Sequence, residues 1–210
     1  MNQPAQTGKH PKGLYVLFFT EMWERFGYYL MVGILFLFMT NSSGKGLPKA
    51  MGADVVGTFI ALVYLTPFIG GLLADRYLGY IKSIFIGGAL MAAGYLTIAL
   101  PGEYTAYIAM GLIIVGNGFF KPNISTLLGN MYNREDLRPL KDNAYNIFYM
   151  GINIGAFFCN FVAAILRNRI GWQAAFSAAG VGLIIGLIAL AFNLRHIKAY
   201  DVKKPMQPED

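Results

Sequence analysis

Glu21-Met22-Trp23-Glu24-Arg25-Phe26-Gly27-Tyr28-Tyr29 is the stretch whose reading decides the fold. It is charged and aromatic, yet it sits inside an apolar run that extends from 14 to 38. About 20 apolar residues suffice to cross a bilayer, so the run is long enough to span one. A charge at the bilayer centre costs roughly 2.5–3.5 kcal/mol, and here three ionisable residues fall within five positions. Glu21, Glu24, Arg25, Tyr28 and Tyr29 follow the i, i+3, i+4, i+7, i+8 spacing of one helix face. A polar face on such a helix must look at protein or at a water-filled cavity, not at lipid.

The rest of the chain agrees with a membrane class. Of its 210 residues 56% are hydrophobic and only 13% charged, against about 25% charged in soluble domains. Mean hydropathy is +0.48. The net charge of +6 could suggest nucleic acid, but the basic residues do not cluster on a soluble domain, and no nucleic-acid partner is expected. Cys159 is the single cysteine, so no disulfide can form within the chain. Residues 1–13 are polar, and the apolar run after them is too long for a signal peptide's core, so no cleavable signal is expected.

Six spans are predicted, over 14–38, 54–76, 83–100, 104–129, 143–166 and 172–194. A short tail (1–13) precedes them, and a polar tail (196–210), or the start of a linker, follows the bundle of 14–195. Barrel strands run to about 10 alternating residues, and these runs are far longer without alternation, so the spans are helices. Six crossings put both termini on one side. That side carries Lys9, Lys12, Arg76, Lys82, Arg134, Arg138, Lys141, Arg195, Lys198, Lys203 and Lys204. The opposite loops carry only Lys45, Lys49, Arg167 and Arg169, so the termini are expected in the cytoplasm. Gly151/Gly155 and Gly182/Gly186 have the spacing that lets helices approach closely. Trp172 opens the sixth span as an interface residue would. His10 and His196 lie outside the spans with no partner at ligand spacing and are read as solvated. Asn41-Ser42-Ser43 is a formal glycosylation sequon on an outer loop.

Lys121 is the second charge inside a span. It could snorkel to the interface, but it stands about 12 Å from the inner end of its helix. Arg25 and Asn153 are each about 15 Å from theirs, and Tyr64 about 20 Å from its own. Four polar groups from four helices thus fall in one zone. Glu21, Glu24, Arg25 and Lys121 sum to zero charge and can pair. Unpaired, they would cost on the order of 10–14 kcal/mol. Asn146, Tyr149, Asn153 and Asn160 share one face of the fifth helix, which suits a hydrophilic cavity better than a single interhelical bond. No nucleophile–base pair, phosphate loop or metal-spaced set appears, so neither an enzyme nor a cofactor is expected.

Three motifs in order resemble the proton-coupled oligopeptide transporter family of the major facilitator superfamily. They are Glu21-x-x-Glu24-Arg25-Phe26-x-Tyr28-Tyr29, the Gly70 to Gly79 stretch GGLLADRYLG, and Phe148 to Gly155, FYMGINIG. Lys121 in FKPN is similar to the family's fourth-helix lysine. The resemblance implies the N-terminal six-helix half of that fold, built as two inverted three-helix repeats. It implies proton-coupled symport of di- and tripeptides by alternating access, with protons as the coupling ion. Glu21, Glu24, Arg25 and Lys121 would form the proton-coupling network. Arg25, Tyr28, Tyr29, Tyr64, Lys121 and Asn153 would bind peptide, with Arg25 and Lys121 on its carboxylate. Asp75 and Arg76 would belong to a cytoplasmic hinge. The family has a second six-helix half that supplies the acidic partner for the peptide amine, so that half is an expected partner, beside membrane lipid. The alternative is a half-domain that folds in the membrane but carries nothing alone.

Overall fold

The computed structural model describes residues 9–202 and forms six long helices; among the described residues there is no strand. They are α1 (Lys12–Thr40), α2 (Lys49–Leu73), α3 (Tyr80–Thr97), α4 (Thr105–Met131), α5 (Lys141–Arg169) and α6 (Trp172–Phe192). Helices close all their backbone hydrogen bonds within the segment, which is what a chain in hydrocarbon must do. Five of the six are long and apolar enough to cross a membrane: α1, α2, α3, α5 and α6. With 27 residues, α4 is long enough, but Asn117, Lys121 and Asn123 lower its hydropathy. Asn117 and Asn123 are buried where α4 packs against α2 and α3, and Lys121 is half-buried.

Six helices stand where six spans are expected, and their ends differ locally. The loop placed at 41–53 is shorter, because Pro48 ends it and α2 begins at Lys49. The link left between the second and third spans, 77–82, is mostly helical. Ala74–Leu78 continue α2 as a π-helical turn, and Gly79, at φ 83°, supplies the left-handed residue that redirects the chain into α3.

The principal helix contacts follow a simple rule. The first helix of each triplet packs against the second and third of the other: α1 on α5 and α6, α4 on α2 and α3. The two third helices, α3 and α6, also touch. Exchanging the triplets leaves the pattern unchanged, as an inverted repeat requires. Glycines permit the close approaches. A Cβ at Gly155 would lie 2.4 Å from the Met22 carbonyl oxygen, and one at Gly182 2.6 Å from the Trp23 ring. Two approaches that spacing did not reveal join α4 to α2 and α3. Gly70 abuts the Gly118 carbonyl, and Gly87 and Gly116 abut each other's carbonyl oxygens.

Burial is uneven. In their most apolar stretches α1 buries 61% of residues, α2 17% and α5 22%. The open flanks thus belong to α2 and α5, with Tyr64, Leu65, Phe68, Phe157 and Phe161 exposed. Beside the α1–α2 loop Trp172 meets Phe38 edge to face with ring centres 5.5 Å apart and donates to the Ser43 hydroxyl at 3.0 Å. Within the sequon, the Asn41 side-chain oxygen accepts from the Ser43 amide and hydroxyl.

The two histidines are not merely solvated. His10 shares a 2.7 Å hydrogen bond with the Tyr132 hydroxyl, and His196 accepts from Arg195 Nε at 3.3 Å. Both are half-buried. The described part of the polar tail also folds back. Its 3₁₀ turns (Leu194–His196, Lys198–Tyr200) bury Ile197 fully, and Asn130 donates to the Tyr200 carbonyl at 3.3 Å. The remainder of the two tails, 1–8 and 203–210, lies outside the described residues.

Candidate functional site

The polar face of α1 is enclosed by protein. Relative exposure is 3% for Glu21, 0% for Glu24 and 3% for Arg25. Unpaired, such charges are untenable in hydrocarbon, and Arg25 pairs with both carboxylates, although the second Glu21 oxygen, Oε2, has no hydrogen-bond partner among the described residues. Arg25 pairs with Glu24 through Nε and Nη2, and its Nε stands 3.4 Å from Glu21 Oε1. The guanidinium also lies over the rings of Tyr28 and Tyr29, 4.9 Å and 6.0 Å from their centres. Arginine suits this place because its flat fork pairs with carboxylates and stacks on rings at once.

Across from α1, α4 contributes Lys121 and, one turn earlier, Asn117. The Lys121 ammonium is 5.0 Å from the centre of the Tyr64 ring of α2. Asn117 is fully buried. Its Oδ1 accepts from Arg25 Nη2 at 3.4 Å, and its Nδ2 donates to the Val63 carbonyl at 2.9 Å. That carbonyl is available because Pro67, four residues on, has no N–H to offer it.

The structure therefore brings together Glu21, Glu24, Arg25, Tyr28, Tyr29, Tyr64 and Lys121. It does not bring them to equal depth. Glu21, Glu24, Arg25 and Tyr28 are buried, Lys121 is half-buried, Tyr29 is 37% exposed and Tyr64 66% exposed. Asn153 is exposed on α5 and bonds to none of the charged groups. It shares its exposed edge with Asn146, Tyr149 and Asn160, next to an apolar edge of Met150, Phe157 and Phe161. Asp75 and Arg76 lie apart from the cluster, in the π-helical turn after α2. The spacing also missed Asn117. The available signal was its position four residues before Lys121, which puts both on one face of α4.

An arginine gripped by two carboxylates, beside a lysine and open tyrosines, allows two steps. It can exchange a protein carboxylate for a ligand carboxylate, since both bind the guanidinium in the same way. A glutamate displaced by that exchange, left unpaired in a dry place, can then take up a proton.

Comparison with known proteins fits this geometry. The chain is 42% identical over 188 residues to the "Uncharacterized transporter YclF" of Bacillus subtilis, covering 88% of this chain and 38% of that protein. It is 39% identical to the "Di-/tripeptide transporter" of Lactococcus lactis, over 95% of this chain and 41% of the relative. It therefore spans about two fifths of the length of these curated relatives. Among solved structures, a crystal structure of a peptide transporter POT in complex with sulfate superposes with a TM-score of 0.88 at 36% identity, covering all of this chain and 43% of that one. A POT family transporter in complex with 5-aminolevulinic acid also gives 0.88, at 31% identity. This chain is thus a multi-pass membrane protein with the fold of a transporter's N-terminal half. Residues 81–208 match the family PTR2, described as the POT family, and the chain belongs to that family.

Proposed function

We propose that this chain forms the N-terminal half of a proton-coupled symporter of di- and tripeptides, alternating access around the α1–α2–α4 cluster. The observation that carries the reading is the burial of Arg25 between Glu21 and Glu24, with Lys121 and Tyr64 on the more open side. In the proposed cycle a peptide carboxylate binds Arg25 and Lys121. Glu21 or Glu24, displaced from Arg25, takes a proton, so peptide and proton load together. Tyr28 packs under the guanidinium while Tyr29, Tyr64 and Asn153 line the path. Asp75 and Arg76 serve the cytoplasmic hinge. Bundle 14–195 works with both termini in the cytoplasm, and a second six-helix half covers the exposed flanks of α2 and α5 and holds the peptide amine. The likeness to the di-/tripeptide transporter of Lactococcus and to the peptide-transporter structure supports the substrate class.

The test is uptake of a labelled dipeptide into proteoliposomes under an inward proton gradient. Uptake that collapses with the gradient is expected once both halves are present. Peptide accumulation indifferent to the gradient, or none at all, would overturn the reading. The exposed Leu65, Phe68, Phe157 and Phe161 favour a corollary: the 210-residue chain alone folds in the membrane but carries nothing.

A further inference from the structure

Asn117 joins three helices through two bonds. It is fully buried, and its amide satisfies an acceptor on α2 and a donor on α1 at the same time. Turned over, the same amide would set donor against donor and acceptor against acceptor, so the two neighbours fix its orientation. The α2 partner is no ordinary helix carbonyl. Pro67 leaves Val63 O without its helical donor, and in a membrane protein such a group is met by a neighbouring helix. The next residue, Tyr64, is the one that lies against Lys121. One turn of α2 therefore touches both cations assigned to the peptide carboxylate, Lys121 through a ring and Arg25 through Asn117.

We infer that Asn117 is a positioning residue that couples the Pro67 turn of α2 to the orientation of Arg25. This rests on the symport reading above and deepens it. Movement of α2 about Pro67 shifts the Val63 carbonyl, the Asn117 amide follows, and Arg25 loses or regains its neutral acceptor. Without that acceptor the guanidinium turns wholly to Glu24 and Glu21 and offers less to a ligand. Asn117 itself acts only through Arg25.

The experiment uses the two-half transporter in proteoliposomes, with Asn117→Leu, Asn117→Asp and Pro67→Ala. Asn117→Leu raises the dipeptide KM by about tenfold or more, as loss of one bond to a charged group predicts, and displaces the pH midpoint of uptake. Asn117→Asp keeps an oxygen facing Arg25 but sets its other oxygen against the Val63 carbonyl, so the link to α2 is lost and KM stays raised. Pro67→Ala restores the helical donor to Val63 O. In that background the thermal stability lost by Asn117→Leu shrinks while the KM rise remains. A structural brace would behave otherwise, with both effects vanishing together in Pro67→Ala. That result, or an unchanged KM and pH midpoint in Asn117→Leu, overturns the inference. Should Asn117→Leu fail to fold alone, the same comparison within Pro67→Ala decides. A parent protein that carries no peptide with protons sinks the symport reading instead. The stability cycle still reads the Val63–Asn117 bond in that case, and additive losses would overturn it.

Discussion

Lys121 and Tyr64 face each other across the α2–α4 boundary, ammonium over ring at 5.0 Å. Neither residue explains itself alone. A lysine in a membrane helix needs a partner, and a tyrosine two-thirds exposed on an apolar helix needs a reason. The contact meets both needs: the ring steadies the cation without neutralising it, so the charge stays available to a ligand. Tyr64→Phe keeps the ring face, and its dipeptide KM should stay within about twofold of the parent, whereas Tyr64→Ala should raise it by about fivefold. Lys121→Gln should weaken dipeptides with a free carboxylate while leaving C-terminal amides, already weak, unchanged. Uptake kinetics with the two ligand series check this, and equal losses for both would contradict the assignment.

Glu24 adjoins Arg25 in sequence, and both side chains are buried, so the pair has little access to water. Removing one member of a buried pair strands the other, at a cost of about 3–5 kcal/mol. Arg25→Ala strands two carboxylates and should lower thermal stability sharply. Glu24→Gln should be milder, because Glu21 remains to balance Arg25 and the amide still accepts a hydrogen bond. If Glu24 carries the coupled proton, the same substitution abolishes gradient-driven accumulation while peptide exchange across the membrane continues. Gradient-driven and exchange assays on one preparation separate the two effects. Accumulation at the parent level in Glu24→Gln would remove Glu24 from the coupling role.

The features that were legible in the sequence are those that lipid enforces. A charge in a span is visible against its background, so Glu21, Glu24, Arg25 and Lys121 marked the cluster. The span limits come from apolar runs, so α2 and α3 begin earlier than expected, at Lys49 after Pro48 and at Tyr80 after Gly79. What stayed hidden depended on the third dimension. Asn117 is one asparagine among several on α4, and only the fold sets it against the carbonyl that Pro67 frees. Gly70 and Gly118 lie far apart in sequence, and no spacing rule announces that they touch. His10 and Tyr132 are separated by 122 positions, so His10 looked solvated.

The α2–α4 contact gives a stability test that does not depend on transport. A Cβ at Gly70 would sit 2.0 Å from the Gly118 carbonyl oxygen, and backbone cannot step aside as a flexible side chain can. Gly70→Ala should therefore cost about 1–3 kcal/mol by overpacking. Gly57 lies on the same helix with nothing within 4 Å of its added carbon. Gly57→Ala should be neutral or stabilising by up to about 1 kcal/mol, since alanine is the better helix former. Thermal melts of the two variants in detergent should diverge in opposite directions. Equal behaviour would mean that α2 and α4 do not meet at Gly70.

Asp201 stands 121 residues from Tyr80, yet its Oδ1 accepts from the Tyr80 amide at 2.7 Å and from the Ile81 amide at 3.4 Å. A helix leaves its first amides without internal partners. At α3 the preceding residue is Gly79, which has no side chain to supply one. The tail after α6 thus caps the helix that follows the Asp75–Arg76 turn. An N-cap is worth about 1 kcal/mol, so Asp201→Ala should destabilise by that amount, and Asp201→Asn, which still accepts, by less. The local signature is sharper than the melt: hydrogen exchange at the Tyr80 and Ile81 amides should quicken in Asp201→Ala while amides in the middle of α3 keep their protection. If those two amides exchange at the parent rate, the tail is not the cap of α3, and the fold-back of residues 194–201 carries no load at that end of the bundle.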